Sequence, residues 1–255
     1  ESNSNSIVEK TEFDLFNLLN DGEIEKGPKK FDDIMITTLD YAEKAFKKSP
    51  DVAVLKSGLN DFDKKVGGLH KSDLIIIAGR PSMGKTAFAT NIALNICQKE
   101  KIKPNESANN ILFFSLEMSS EQLATRLLSE VSRIPSEKIR TGNLSKFDFE
   151  NMMKGSEKIK DLNLFIDDSP ALTLSSVRSR ARRLKRRKGL DLIIIDYLQL
   201  INSESKNYND NRVKEISDIT RGLKALAKEF NIPVIALSQL SRKVEDREEK
   251  RPQLA

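Results

Sequence analysis

The segment Gly79-Arg80-Pro81-Ser82-Met83-Gly84-Lys85-Thr86 restricts the fold of this chain more tightly than any other stretch. It satisfies G-x-x-x-x-G-K-[ST] at every fixed position. An apolar run, Leu74 to Ala78, leads into it, and an amphipathic stretch from Lys85 to Gln98 leads out, which sets the motif in a strand–loop–helix frame. Glycines allow the backbone to wrap a phosphate chain with successive N–H groups turned toward it. The N-terminus of the following helix adds the positive end of its dipole. Lys85 brings a charge to the β- and γ-phosphates, and the Thr86 hydroxyl suits Mg²⁺. Gly79, Arg80, Pro81, Ser82, Met83, Gly84, Lys85 and Thr86 are therefore the expected nucleotide-binding residues, with ATP and Mg²⁺ as ligands.

The rest of the chain fits that frame. From about Ser57 onward short apolar strands alternate with helical patterns. Strands are expected at 73–78, 111–115, 164–167, 192–196 and 234–237. Helices are expected at about 85–98, 120–132, 147–159, 175–187 and 213–230. The strands are near-continuous apolar runs, as for strands covered on both faces. Ser119 with Gln122 forms a capping-box signature ahead of the second helix. Such alternation predicts an α/β fold, a mostly parallel sheet with helices on both faces. No solenoid-type repeat is present.

Phosphoryl transfer to water needs a metal-linked acid and a group that orients or deprotonates the water. Two strand tips offer the acid, Asp196 after Leu192-Ile-Ile-Ile195, and Asp167-Asp168 after Leu164-Phe-Ile166. Asp196 is chosen because its strand is the more central-looking; Asp167 and Asp168 are read as a solvated strand end before the turn at Ser169-Pro170. Glu117 emerges where the 111–115 strand ends, on the edge where open α/β sheets bind ligands. Gln239 follows the 234–237 strand on the same edge and suits γ-phosphate sensing. On the residues alone, an exposed loop position explains Glu117 and Gln239 equally well.

Cysteine and histidine counts exclude other chemistries. Cys97 is the only cysteine and His70 the only histidine, which leaves no intrachain disulfide, zinc finger or multi-His centre. The chain reads as a protein of a reducing compartment, the cytoplasm. Its longest apolar runs are too short for a bilayer, so no membrane partner is expected. The 43 Lys and Arg against 38 Asp and Glu give a net charge of +5, which permits a polyanionic partner without requiring one.

Residues 1–30 read as a leader or the remnant of a preceding domain. Phe31, Met35, Leu39, Ala42 and Phe46 then share one helical face. Lys47-Lys48 suit the end of this helix and Pro50 stops it. The stripe either folds back on its own domain or docks on another subunit. Residues 31–56 are taken as this helix and its connection, and 57–255 as the catalytic domain.

Several motifs together carry a close resemblance. They are Ser57-Gly58-Leu59, Gly67-Gly68-Leu69, the 79–86 loop, Phe114-Ser-Leu-Glu-Met118, Arg140-Thr-Gly142, Leu192-Ile-Ile-Ile-Asp-Tyr-Leu-Gln-Leu200 and Val234-Ile-Ala-Leu-Ser-Gln-Leu-Ser-Arg242. In order and spacing they resemble bacterial replicative helicases of the DnaB family, from about Phe31 to the end. The resemblance implies a RecA-like ATPase domain preceded by a linker helix that packs on the neighbouring subunit. It implies a homo-hexameric ring that hydrolyses ATP to move along single-stranded DNA and unwind duplex at the fork, with primase and a helicase loader as partners. It assigns catalysis to Glu117, Lys85 and Gln239, and Mg²⁺ to Thr86 and Asp196. A RecA-type recombinase or clock-type ATPase shares the fold; the Asp196–Leu200 and Ser238–Arg242 runs favour the helicase. In the family the chain continues past the position of Ala255 into further DNA contacts and an arginine finger, so this sequence is expected to be cut short there.

Two polar loops, 202–212 and 241–252, follow strand tips, and the resemblance places both near the ring channel. Arg242 is the expected phosphate-backbone contact with single-stranded DNA, since translocation needs a sequence-independent grip. The most basic stretch is 178–188, with eight Lys or Arg in eleven residues. It is read as a solvated helix face, with a nucleic-acid surface as the alternative.

Overall fold

The computed structural model describes residues 30–47, 54–98, 109–202 and 212–240. The expectations for residues 1–29, for Arg242 and for most of the two polar loops lie outside them. The chain divides into two units, residues 1–53 and 54–255.

In the first unit, helix α1 spans Phe31–Phe46. Asp32 and Asp33 in its first turn and Lys44 in its last complement the helix dipole. Its apolar stripe is exposed, with Phe31 at 67%, Leu39 at 63% and Phe46 at 89%.

The second unit contains α2 (Asn60–Val66), β1 (Leu74–Gly79), α3 (Lys85–Gln98), β2 (Ile111–Ser115), α4 (Ser120–Ser132), α5 (Ser136–Thr141), α6 (Lys146–Ile159), β3 (Leu164–Asp167), α7 (Leu174–Lys188), β4 (Leu192–Asp196), a 3₁₀ turn at Leu198–Leu200, α8 (Arg212–Phe230) and β5 (Val234–Gln239). The strands form one parallel sheet in the order β1-β5-β4-β2-β3.

The two-residue period of a strand sorts the core into two layers. Ile111 and Phe113, Leu192 and Ile194, and Ile235 and Leu237 meet Ile92, Ala93 and Ile96 of α3 on one face. The residues between them, Leu112, Phe114, Ile193, Ile195, Val234 and Ala236, meet Val177 and Ala181 of α7 and Leu223, Leu226 and Ala227 of α8 on the other. Each such large apolar side chain stabilises the fold by roughly 1.5–3 kcal/mol when fully buried. This explains why β2 and β4, buried at every position, read as unbroken apolar runs.

The outer strands correct one expectation. β1 and β3 are not covered throughout: in β1, Ile76 is 42% exposed and Ala78 is also exposed. Both strands are at the edges of the sheet, where helices overlap the faces less completely.

The basic helix also differs from a uniformly solvated face. Arg180 pairs with Asp167 and Ser169, and Arg178 and Arg182 pair with Glu229 of α8. Lys185 donates to the Phe230 carbonyl and lies 5.4 Å from the Phe230 ring centroid. Arg178, Arg180, Arg182 and Lys185 therefore hold α7 to its neighbours, and Arg183, Arg186, Arg187 and Lys188 are exposed. No helix among the described residues is long and apolar enough to cross a membrane.

Candidate active site

Because every strand runs the same way, all C-terminal ends lie on one edge. Across that edge the order is the phosphate loop after β1, Gln239 on β5, Asp196 on β4 and Glu117 after β2. The structure thus brings together the residues expected to act on nucleotide.

The phosphate loop is shaped by its glycines and its lysine. Lys85 Nζ donates to the Arg80 carbonyl at 2.9 Å, closing the loop on itself. A Cβ on Gly79 would come within 3.3 Å of Lys85 Cγ, a tight contact that the lysine side chain would have to shift to relieve. Gly84 has φ +82°, the left-handed region that glycine enters without strain. Ser82 and Met83 are exposed on the loop, while Arg80 and Pro81 are half-buried.

At the first turn of α3, Thr86 Oγ1 donates to Asp196 Oδ2 at 2.7 Å. Asp196 is only 1% exposed, and its Oδ1 is buried without a hydrogen-bond partner. Burial pushes the Asp196 pKa above the ordinary carboxylate value. The Thr86 hydrogen bond pulls it back, the Glu117 charge pushes it further up, and Lys85 and Arg126 draw it down; the net direction is upward. A buried carboxylate oxygen with no partner is costly unless something positive meets it. Thr86 and Asp196 therefore fit Mg²⁺, an ion that takes one or two protein ligands and completes its shell with phosphate and water. No cluster of three or more His, Cys, Asp or Glu suited to a metal exists among the described residues.

Glu117 is exposed on a loop fixed at several points. Leu116 N–H donates to the Asp196 carbonyl at 2.8 Å, and Ser115 Oγ donates to the Met118 carbonyl at 2.7 Å. The Ser119–Gln122 capping box forms as expected and starts α4 immediately afterwards. Ser120 N–H also donates to Asp168 Oδ2 at 2.7 Å.

Asp167 and Asp168 are thus engaged by donors rather than left as a free strand end, Asp167 by Arg180 and Ser169 and Asp168 by the Ser120 N–H. Burial raises the Asp167 pKa, but bonds from Arg180 and Ser169 outweigh it, and the net shift is downward. The short strand brought both carboxylates next to donors on other elements, which the local sequence does not reveal.

Sequence reasoning gave no role to three further groups at this edge. Arg126, on α4, acts on the Asp196 charge. Tyr197 has its pKa raised by burial and by the charges of Glu117 and Asp196. Gln199 bonds to Ser238 and to the Gln239 backbone. Tyr197 and Gln199 fell inside a recognised motif, which was the available signal; Arg126 carried none.

The comparisons with known proteins agree with this arrangement. The family described as DnaB-like helicase C terminal domain matches residues 54–255. The replicative DNA helicase DnaB of Rickettsia bellii (strain RML369-C) is 50% identical over 251 residues, covering 97% of this chain and 50% of the relative. DnaB of Geobacillus stearothermophilus is 42% identical over 227 residues, covering 89% of this chain and 48% of the relative. The chain spans about half the length of these relatives. A DnaB-like replicative helicase, solved in a study of its interactions with primase, superposes with a TM-score of 0.73 at 29% identity, covering all of this chain and 60% of that one. A second solved structure, an isolated ATPase domain, gives 0.77 at 32% identity, covering 89% of this chain and 77% of that one. By its sequence match, its sheet and the groups gathered at one edge of that sheet, the chain belongs to the family of DnaB-like replicative helicase C-terminal domains.

Proposed function

We propose that this chain is the ATP-hydrolysing motor of a replicative DNA helicase, acting in a homo-hexameric ring that moves on single-stranded DNA. The observation that carries the reading is the convergence of Lys85, the Thr86–Asp196 pair, Glu117 and Gln239 on one strand edge. Lys85 exchanges the Arg80 carbonyl for the β- and γ-phosphates and balances their charge. Mg²⁺, held by Thr86 and linked to Asp196, would neutralise charge that develops on the phosphate oxygens. Glu117 orients the attacking water and accepts its proton. Gln239 meets the γ-phosphate region from β5 and reports its presence. The exposed α1 stripe is the face that packs on a neighbouring subunit, as the family resemblance implies. Arg242 contacts the DNA backbone, primase and a loader are the expected partners, and a bacterial cytoplasm is the expected setting.

DNA-stimulated ATP hydrolysis and unwinding of a forked duplex, measured on the protein containing this chain, test the proposal. Stimulation by single-stranded DNA with strand separation supports it. Stimulation with strand exchange and no unwinding would favour a recombinase of the same fold, and hydrolysis indifferent to DNA would remove the motor assignment.

A further inference from the structure

The sheet leaves a gap beside the γ-phosphate sensor. On one side β5 pairs with β1 as far as Gly79 with Gln239, and Leu240 N–H donates to the Gly79 carbonyl at 3.0 Å. On the other side its pairing with β4 stops at Ile195 with Ala236, because the chain leaves the sheet after Asp196. Leu237, Ser238 and Gln239 thus extend beyond the last strand pair on that side. Unpaired backbone groups at this position would leave the end of β5 held from one side alone.

The Gln199 side chain fills that gap. The 3₁₀ turn Leu198–Leu200 carries it back over the end of β5. Its Nε2 donates to the Gln239 carbonyl at 3.0 Å and to Ser238 Oγ at 2.9 Å. Its Oε1 accepts from the Gln239 N–H at 3.3 Å. One amide therefore supplies both the donor and the acceptor that a neighbouring strand would have offered to Gln239. Gln199 is also three residues from Asp196, so one short turn joins the metal-linked acid to the backbone of the sensor.

We propose that Gln199 is a positioning residue for hydrolysis: it fixes the backbone of Gln239, and through it the reach of the Gln239 amide, relative to Asp196. This rests on the reading of Gln239 as the γ-phosphate sensor. The role does not require Gln199 to touch nucleotide. It follows from geometry, since a catalytic amide displaced by about 1 Å loses up to about 10²-fold in rate.

The test uses the protein containing this chain, with saturating Mg-ATP and a single-stranded oligonucleotide. Gln199→Ala, Gln199→Glu, Gln239→Ala and the Gln199→Ala/Gln239→Ala double variant are compared for kcat, KM for ATP and thermal midpoint. Gln199→Ala is expected to lower kcat about 10-fold or more, leaving KM and the thermal midpoint near wild type. Gln199→Glu is expected to be at least as impaired, because it loses both N–H donors and sets a carboxylate against the Gln239 carbonyl. In the double variant the loss should equal that of Gln239→Ala alone, because Gln199 then has no sensor side chain left to place. Wild-type kcat in Gln199→Ala or Gln199→Glu, with Gln239→Ala impaired, overturns the inference. So does a double variant whose loss is the product of the two single losses, or a Gln199→Ala defect that tracks a fall in thermal midpoint. Wild-type turnover in Gln239→Ala removes the sensor assignment itself, and this inference with it.

Discussion

Asp168, just past β3, accepts the backbone N–H of Ser120 at 2.7 Å, and Ser120 lies three residues beyond Glu117. The carboxylate sits at the start of α4, where free N–H groups and the helix dipole favour negative charge. The Ser120 backbone and side-chain bonds hold the Asp168 pKa below the ordinary carboxylate value. A lowered folded pKa means that this support is present above the ordinary value and is lost as pH falls through the folded one. Asp168 thus stays charged throughout the neutral range. The Asp168→Ala variant is expected to lower kcat roughly tenfold by loosening the loop that carries Glu117, with little change in KM for ATP. Steady-state kinetics decide: an unchanged kcat would mean that the Ser115 and Leu116 bonds hold the loop without Asp168.

Asp196 is expected to trade stability for function. Its folded pKa is raised, so it contributes stability at low pH that is lost as pH rises through that value. In nucleotide-free protein above that value the ionised form, with Oδ1 buried and unpartnered, is a destabilising element. Asp196→Asn should stabilise the nucleotide-free protein by about 1 kcal/mol, or ~2–4 °C in a domain of this size. The same variant should lose the further stabilisation that wild type gains from Mg-ATP over ATP with chelator. Calorimetric scans across pH, with and without Mg²⁺, check both parts. Equal Mg²⁺-dependent shifts in the two proteins would detach Asp196 from the metal.

The main outline was legible in the sequence because strong local rules agreed. Phe113 and Ile194 lie in runs too apolar for any place but a two-sided core, and Gly84-Lys85-Thr86 restricts the backbone and the chemistry together. Short elements were missed. The helices α2 and α5 have too few residues for a periodic stripe, and the Leu198–Leu200 turn looks like a continuation of an apolar strand. Long-range pairing was the other blind spot. Ser120 with Asp168 and Gln199 with Gln239 depend on which strands become neighbours, and the order β1-β5-β4-β2-β3 is not written in any one segment.

Glu117→Gln is expected to keep Mg-ATP binding and lose about 10²–10⁴-fold in turnover, since the amide keeps the shape and removes the base. A second effect follows from the same charge. Glu117 helps to push the Asp196 pKa up, so the acid limb of Mg²⁺-dependent nucleotide binding should move to lower pH in the variant. Binding titrations at several pH values test this. If binding fails together with turnover, Glu117 is a structural residue.

Lys85→Ala removes the cation at the start of α3 together with the bond that closes the loop on the Arg80 carbonyl. Turnover is expected to fall by more than about 10²-fold at saturating Mg-ATP, the scale for losing one preorganised group that meets developing charge. Lys85→Arg should not rescue it, because a planar guanidinium does not reproduce a compact ammonium on this short loop. Wild-type hydrolysis in either variant would defeat the phosphate-loop assignment.

The α1 stripe leads to a prediction about assembly. Phe31, Leu39 and Phe46 are all more than half exposed, with Met35 at 42%. Contiguous apolar surface of this kind is uncommon on a soluble monomer and marks an interaction site. The core layers that stabilise the ATPase unit are built mainly from β2, β4, β5, α3, α7 and α8. A charge placed in the stripe should therefore weaken subunit packing without unfolding the motor. Leu39→Asp, and separately Phe46→Asp, are expected to shift the mass measured by light scattering from ring toward monomer at micromolar concentration. The thermal midpoint of the monomeric fraction should stay near that of wild-type monomer. Nucleotide binding should persist, since Lys85, Thr86 and Asp196 all lie in the other unit. An unchanged mass would show that the stripe is buried within its own subunit, and a midpoint that falls with the mass would show that α1 belongs to the core of the motor.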